Sequence, residues 1–356
     1  MTYQKIIDGN CEIDFENAFW TRLTQELTNI AASQIFVLTD SNTKRDCLAL
    51  FDSKFPNHLT YKEISIPAGE EHKNLDTCTK VWQALSDAGA DRKSLLINLG
   101  GGVVCDLGGF VASTYMRGIK WINIPTSLLS MVDASIGGKT GVDFNGLKNI
   151  IGVIRNPHLV GIEPKFLKTL SYRERRSGFA EMLKHALLTD KEHWLGLQSI
   201  KLENIETIKE YLHKSILVKH GIVSKDRDES GLRKQLNFGH TIGHAIESYY
   251  LQKNEPILHG EAVAAGMLIE LKLSTDVLGF SLEDFKKIEQ FLLKSFGKIL
   301  IKEDAIEEII NNLAFDKKNE KGKINFVLLH AFGKPKIDFN VPDSRIEQAI
   351  RYYKKL

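Results

Sequence analysis

The sequence predicts an α/β N-terminal domain over residues 1–165, built on a doubly wound parallel sheet, followed by a mainly α-helical domain over residues 166–356. Three observations carry this expectation. Short apolar runs alternate with helical patterns in the first half, a glycine-rich turn follows one of those runs, and long helical patterns dominate after about Pro164. The 356 residues, 43% of them hydrophobic, suffice for two cores of ordinary size.

Ile35 to Leu38, Ile64 to Ile66, Ser94 to Leu99 and Trp121 to Ile124 are rich in Ile, Val and Leu and read as strands of a parallel sheet. Between two of them, Cys78, Val81, Trp82 and Leu85 recur at i, i+3, i+4 and i+7, which predicts a helix with one buried stripe ending near Gly89. In the second half, Leu202 to Lys219, Thr241 to Gln252, Gly260 to Leu278 and Leu282 to Phe296 have helical periodicity. One late run, Ile324 to Leu329, reads as a strand, and the following Gly333, Lys334 and Pro335 suggest a hairpin or loop.

The formal net charge of +2 lacks the basic excess of a nucleic-acid or polyanion partner and leaves small anions held by local clusters open, so partners must be read from motifs. Cys11, Cys47, Cys78 and Cys105 are widely separated and form no C-x-x-C, which predicts neither a disulfide framework nor a thiolate metal site and suits a reducing cytoplasm. No stretch approaches the length of a membrane span, and Met1 to Asn10 lacks the apolar core of a secretion signal.

Ser94 to Leu99 runs into Gly100, Gly101 and Gly102, then Val103 to Gly109, ahead of a helical segment. Strand, glycines and helix in this order can cradle a pyrophosphate, although the spacing is not G-x-G-x-x-G and a tight turn alone would also use glycine. Asp40-Ser41-Asn42 follows the first strand, where it can hold a ribose hydroxyl or form an Asx turn.

His240 and His244 lie four apart, which puts their Cβ atoms roughly 5–6 Å apart if the helix has begun by His240. Leu258-His259-Gly260-Glu261 supplies a third imidazole, and Glu181 precedes Lys184 by three. One Glu with two His is a catalytic zinc set with open positions, but spacing equally allows His240 and His244 to be ligands together, and Glu181 with Lys184 to be an ordinary helix ion pair. The stretch from Pro125 to Gly152 holds Asp133, Lys139, Thr140, Asp143, Lys148 and Asn149 among glycines, with Arg117 upstream, and suits an anion such as phosphate. Lys219, Arg233 and Asn237 form a second donor group, so a substrate with two anionic ends is expected.

Five ordered segments, GGGVVCDLGGFVASTYMRGI, PTSLLSMVDASIGGKTGVDFNGLKNIIG, GFAEMLKHALL, GLRKQLNFGHTIGHAIE and LHGEAVAAGM, resemble the 3-dehydroquinate synthases within the sugar-phosphate cyclases, over nearly the whole chain. The resemblance implies a Rossmann-like α/β domain with a helical partner, the dehydroquinate synthase-like arrangement. It also implies a shikimate-pathway lyase that eliminates phosphate from a heptulosonate phosphate through transient oxidation by NAD. By the same likeness Glu181, His240 and His259 bind zinc, or cobalt, and His244 becomes a catalytic group. Implied NAD contacts are Asp40, Asn42, Glu70 and Lys73, the last two in a G-E-x-x-K pattern, then Gly101, Gly102, Val103 and Asp106. Thr126, Ser127, Thr169 and Leu170 complete that set, with Lys139 and Lys148 between cofactor and substrate.

In similar enzymes the phosphate end meets Lys139, Lys148, Asn149, Lys334 and an arginine like Arg117 from a second copy of the chain, which implies a homodimer. Lys219, Arg233 and Asn237 would face the carboxylate end, with Asp133, Lys184, Glu229 and His244 around the reacting hydroxyls. Two departures stand out: Asp143 replaces a more usual asparagine, and Asn145-Gly146-Leu147 replaces the commoner Pro-x-Gly. A sister cyclase would have no use for Lys219, Arg233 and Asn237 against a substrate without a carboxylate. A net dehydrogenase would release NADH with product, and a non-catalytic scaffold would not need Lys184, His244, Glu229 and Arg233 together.

Overall fold

The computed structural model describes residues 4–145, 147–314 and 324–356, so Gly146 of the departing loop lies outside the described residues. Two compact units emerge, the first comprising Met1–Ser171 with Leu212–Ser224 and the second Tyr172–Tyr211 with Lys225–Leu356.

The first unit runs β1 (Ile6–Asp8), β2 (Cys11–Phe15), α1 (Glu16–Ile30), β3 (Ile35–Asp40), α2 (Ser41–Asp52), β4 (Lys62–Ile66), α3 (Leu75–Asp87), β5 (Leu95–Gly100), α4 (Gly102–Thr114), β6 (Lys120–Pro125), a hairpin of β7 (Lys139–Phe144) and β8 (Leu147–Ile154), and β9 (Leu159–Ile162). Seven strands form one sheet in the order β1-β2-β9-β6-β5-β3-β4, parallel except for the β1–β2 pair. All six residues of β5 are buried, as are the first five of β3 and the last five of β6, because helices cover both faces. From β3 the chain passes outward to β4 and then back to β5 on the other side, so the sheet reverses direction between β3 and β5. Ligands in such sheets bind beyond the carboxyl ends of the strands at that reversal.

Glycines let α4 lie close to the sheet. A Cβ on Gly108 would meet the Asn98 side chain at 2.1 Å, and one on Gly109 would meet Thr140 of the hairpin at 2.4 Å. The β7–β8 hairpin thereby rests on α4, which fixes the segment carrying Lys139, Lys148 and Asn149.

The second unit is mainly helical: α5 (Tyr172–Leu187), α6 (Lys191–Leu197), the start of α7 (Ile205–Val223), α8 (His240–Gln252), α9 (His259–Leu278), α10 (Leu282–Phe296), α11 (Ala305–Ala314), a hairpin of β10 (Asn325–Ala331) and β11 (Lys334–Asn340), and α12 (Asp343–Lys355). Helix α9 is its core element, with thirteen of its residues buried from Gly260 to Ser274. The rest of α7 belongs to the first unit, where His220 Nε2 lies 2.9 Å from the Ile7 carbonyl. Lys219, grouped by sequence with Arg233 and Asn237 in the helical half, is therefore part of the first unit. All four cysteines are buried free thiols, and no helix among the described residues is long and apolar enough to cross a membrane.

Candidate active site

In the first unit, the carboxyl ends of β3, β5 and β6 bring together Asp40, the Gly100–Gly102 turn and Thr126–Ser127. The turn enters α4 with Gly101 as N-cap and no side-chain cap bond, so the first N–H groups of a 13-residue helix are left for another acceptor. A Cβ on Gly100 would collide with Val104 at 2.5 Å, whereas one on Gly101 or Gly102 would meet nothing closer than 3.5 Å. Gly100 therefore serves the turn, and Gly101 and Gly102 keep an anion-sized approach open, which fits a pyrophosphate. Thr126 N donates to Gly100 O at 2.9 Å and ties the two strand ends together.

Asp40 caps α2: its Oδ1 accepts from Asn42 N at 2.9 Å and Thr43 N at 2.8 Å, so the Asx geometry that sequence allowed is present. Thr169 Oγ1 donates to Phe166 O at 3.2 Å and Leu170 N to Leu167 O at 3.3 Å, both in the turn after β9.

Lys73 is almost fully buried, 2.8 Å from Glu70 and 3.7 Å from both Asp106 and Asp143. Burial disfavours its cation, but these three carboxylates outweigh that and hold its pKa well above the ordinary lysine range. Burial pushes Asp106 the other way, up to about 7, against the pull of Lys73. Asp143, the departure from the usual asparagine, has a clear structural task. Its carboxylate accepts from Asn149 N at 2.8 Å and its N–H donates to Lys73 O at 2.8 Å, so it links the Glu70–Lys73 turn to the hairpin. Lys148 lies 3.5 Å from Glu70. Asp133 sits in a π-helical turn and accepts from Lys219 Nζ through its carboxylate at 2.7 Å and its carbonyl at 2.6 Å. Arg117 is exposed in a turn where it and Met116 both have positive φ.

In the second unit, α5, α8 and α9 converge on one point. Glu181 of α5 has no exposed surface, and its Oε1 lies 3.4 Å from His240 Nε2 and 3.6 Å from His259 Nε2. Two donors each about 2.0–2.2 Å from one tetrahedral ion stand roughly 3.3–3.6 Å apart, so this spacing fits a shared divalent ion. The other ring nitrogens are tethered: His240 Nδ1 is 3.2 Å from Phe238 O, and His259 Nδ1 is 3.5 Å from Glu247 Oε2. Burial alone would lower the His259 pKa, yet Glu181 and Glu247 push it up to about 9, so the pocket draws positive charge to this point. The His244 ring is 5.1 Å from His240 and 5.7 Å from His259, and the three imidazoles form a cluster able to hold an ion. Lys184 is buried and ion-paired with Glu181 through the other carboxylate oxygen, so the pair is internal rather than a surface helix pair.

Packing explains why the helices meet here. Gly260 N donates to Ser177 Oγ at 3.0 Å, and a Cβ on Gly260 would strike Ser177 O, which pins the start of α9 to α5. Gly239 begins α8 in the left-handed region and brings no capping side chain. Glu270 of α9 supplies the cap instead, accepting from Gly239 N at 2.6 Å and Ile242 N at 3.1 Å. Nothing in the spacing of the histidines signals Glu270, although an acid inside the apolar run Met267 to Leu273 is itself a clue.

Before α8, the Asp226 carboxylate accepts from the backbone of Arg233, Gly231 and Ser230, and these bonds hold its pKa down to about 2. This ordered loop carries Glu229, which accepts from Asn237 Nδ2 at 2.8 Å, and the buried Arg233, whose Nη1 donates to Arg227 O at 2.6 Å. Gly333 N donates to Leu187 O at 2.9 Å, anchoring the β10–β11 turn and the exposed Lys334 to the end of α5.

Two family models match the chain in succession. Residues 63–177 match the 3-dehydroquinate synthase N-terminal family and residues 178–319 the 3-dehydroquinate synthase C-terminal family. A 3-dehydroquinate synthase of Parabacteroides distasonis is 39% identical over 337 residues, covering 94% of this chain and 95% of that protein. Among solved structures, 2-deoxy-scyllo-inosose synthase complexed with carbaglucose-6-phosphate, NAD+ and Co2+ superposes with a TM-score of 0.85 at 23% identity, covering 99% of this chain and 100% of that one. ValA, the 2-epi-5-epi-valiolone synthase of Streptomyces hygroscopicus subsp. jinggangensis with NAD+ and Zn2+ bound, gives 0.85 at 24% identity, covering 100% and 99%. These two share the fold. The two consecutive family matches and the relative aligned almost end to end carry the assignment further: this chain belongs to the 3-dehydroquinate synthase family.

Proposed function

We propose that this chain converts 3-deoxy-D-arabino-heptulosonate 7-phosphate to 3-dehydroquinate and phosphate with NAD and a divalent ion, zinc or cobalt, as resident groups. The observation that carries this reading is the buried Glu181 carboxylate with His240 Nε2 and His259 Nε2 turned towards one of its oxygens at 3.4 and 3.6 Å. The uncapped α4 start at the sheet reversal supports NAD, as do the cofactors named for the two cyclases of the same fold.

In this reading Glu181, His240 and His259 hold the ion, which supplies Lewis acidity that lowers the pKa of a substrate hydroxyl. NAD, held at the Gly101–Gly102 start of α4, would supply a reversible hydride acceptor. His244 takes and returns the proton of the reacting hydroxyl, with Asp133, Lys184 and Glu229 ordering the polar groups around it. Arg233 and Asn237 grip the carboxylate end together with Lys219. Lys139, Lys148, Asn149 and Lys334 grip the phosphate, joined by Arg117 of a second copy in a homodimer. Held there, the phosphate is placed to take the proton from the carbon beside the transient ketone, which spares the chain a strong base. Fixing both ends also selects one conformer for ring closure, an effect worth roughly 7–11 kcal/mol in favourable cases. Four buried thiols suit a reducing cytoplasm.

Incubating the purified chain with the heptulosonate phosphate, NAD and zinc tests the reading. Phosphate release matching substrate loss, with no build-up of NADH absorbance, is expected. NADH rising in step with product would instead mark a net dehydrogenase.

A further inference from the structure

His259 is the first residue of α9, a position with few helical constraints of its own, and its ring is gripped from the neighbouring helix. Glu247 of α8 is 5% exposed and presents Oε2 to His259 Nδ1 at 3.5 Å, while His259 Nε2 lies 3.6 Å from Glu181 Oε1. Glu247 stands seven residues after His240 and three after His244, so all three share one face of α8. His240 has the same division of labour, with Nδ1 at the Phe238 carbonyl and Nε2 at Glu181. A neutral imidazole carries one N–H, and the acceptor that takes it decides which nitrogen keeps the lone pair. A backbone carbonyl does this for His240, whereas a buried carboxylate does it for His259 and adds negative charge behind the ring.

We propose that Glu247 is a positioning residue for the metal centre: it holds the Nδ1–H tautomer of His259 and turns its Nε2 to the ion. The inference rests on the reading of Glu181, His240 and His259 as ligands, and Glu247 acts only through His259. Partners of this kind tune metal affinity by about 10–100-fold.

Chelator competition on the intact protein, loaded with Zn2+ or Co2+ alone, tests it without recourse to activity. Glu247→Ala is expected to weaken binding by roughly 10–100-fold and to shift the visible absorption of the Co2+ form. Glu247→Gln, whose amide oxygen still accepts the Nδ1–H, should restore much of the affinity. Thermal unfolding of the metal-free variants provides the control, because a merely structural role would lower metal-free stability and leave the affinity of the folded protein and the Co2+ spectrum unchanged. If Glu247→Ala does not fold, Glu247→Gln and Glu247→Asp carry the comparison. Wild-type affinity in Glu247→Ala, or in Glu247→Asp where the alanine variant does not fold, alongside loss of the ion in His259→Ala, would overturn the proposal and leave the ligand reading intact. Retention of the ion by His259→Ala would overturn the ligand reading itself.

Discussion

Arg233 is 3% exposed in a loop organised around Asp226, and a guanidinium so enclosed is a poor surface charge but a good anchor for a carboxylate. Arg233→Ala should lower kcat/KM by the equivalent of about 2–5 kcal/mol, the usual cost of truncating one partner of a buried charge pair. Steady-state kinetics at limiting substrate check this, and an unchanged value would exclude the anchor role. Asp106 gives a pH dependence. With its pKa raised to about 7, chiefly by burial, the folded chain keeps the proton that an unfolded aspartate releases near ~3.9. This contribution to stability is complete below the unfolded value and declines as pH rises through the folded one. Relative to Asp106→Asn, wild-type urea midpoints should therefore fall between about pH 4 and about pH 7, and parallel profiles would contradict it. At this scale the histidine spacing was legible because i and i+4 share a helix face. Glu247 and Glu270 were not, since the contacts that give them meaning cross from one helix to another.

Between helices, glycine sets the distance. A Cβ on Gly266 of α9 would lie 2.0 Å from Gly239 O, and one on Gly243 of α8 would lie 3.0 Å from Ala262 O. The two helices that carry His240 and His259 thus touch backbone to backbone, with Glu270 bridging them. Gly266→Ala should cost about 1–3 kcal/mol, as overpacking does, and weaken metal retention along with it. Denaturant unfolding and metal analysis check both effects, and wild-type stability would contradict the close-crossing account. Strands β3, β5 and β6 were readable from sequence because burial on both faces leaves continuous apolar runs. The β7–β8 hairpin was not, because β7 is buried at three successive positions and β8 is mostly exposed, so neither strand alternates. Asp143 shows the same limit: its departure from asparagine was visible, but its bond to Asn149 N and the link from its own N–H to Lys73 O exist only once the hairpin is folded.

Across the molecule, the chain order of motifs does not equal their order in space. Helix α7 starts in the second unit and finishes in the first, so Lys219 and its partner Asp133 belong to the first unit and the Arg233–Asn237 loop to the second. A linear reading joins residues by sequence neighbourhood, whereas the fold joins them by which core their helix completes. Family resemblance remained readable through this rearrangement because five motifs occur in order, and the two matched family domains cover residues 63–177 and 178–319. The proposed chemistry depends on Glu181, His240 and His259, rather than His244, being the groups that would hold the ion. Metal content of purified, folded His240→Ala and His244→Ala measures this directly. The account predicts that His240→Ala loses the ion, while His244→Ala retains it and turns over slowly. Full metal retention by His240→Ala, or loss of the ion only in His244→Ala, would contradict it.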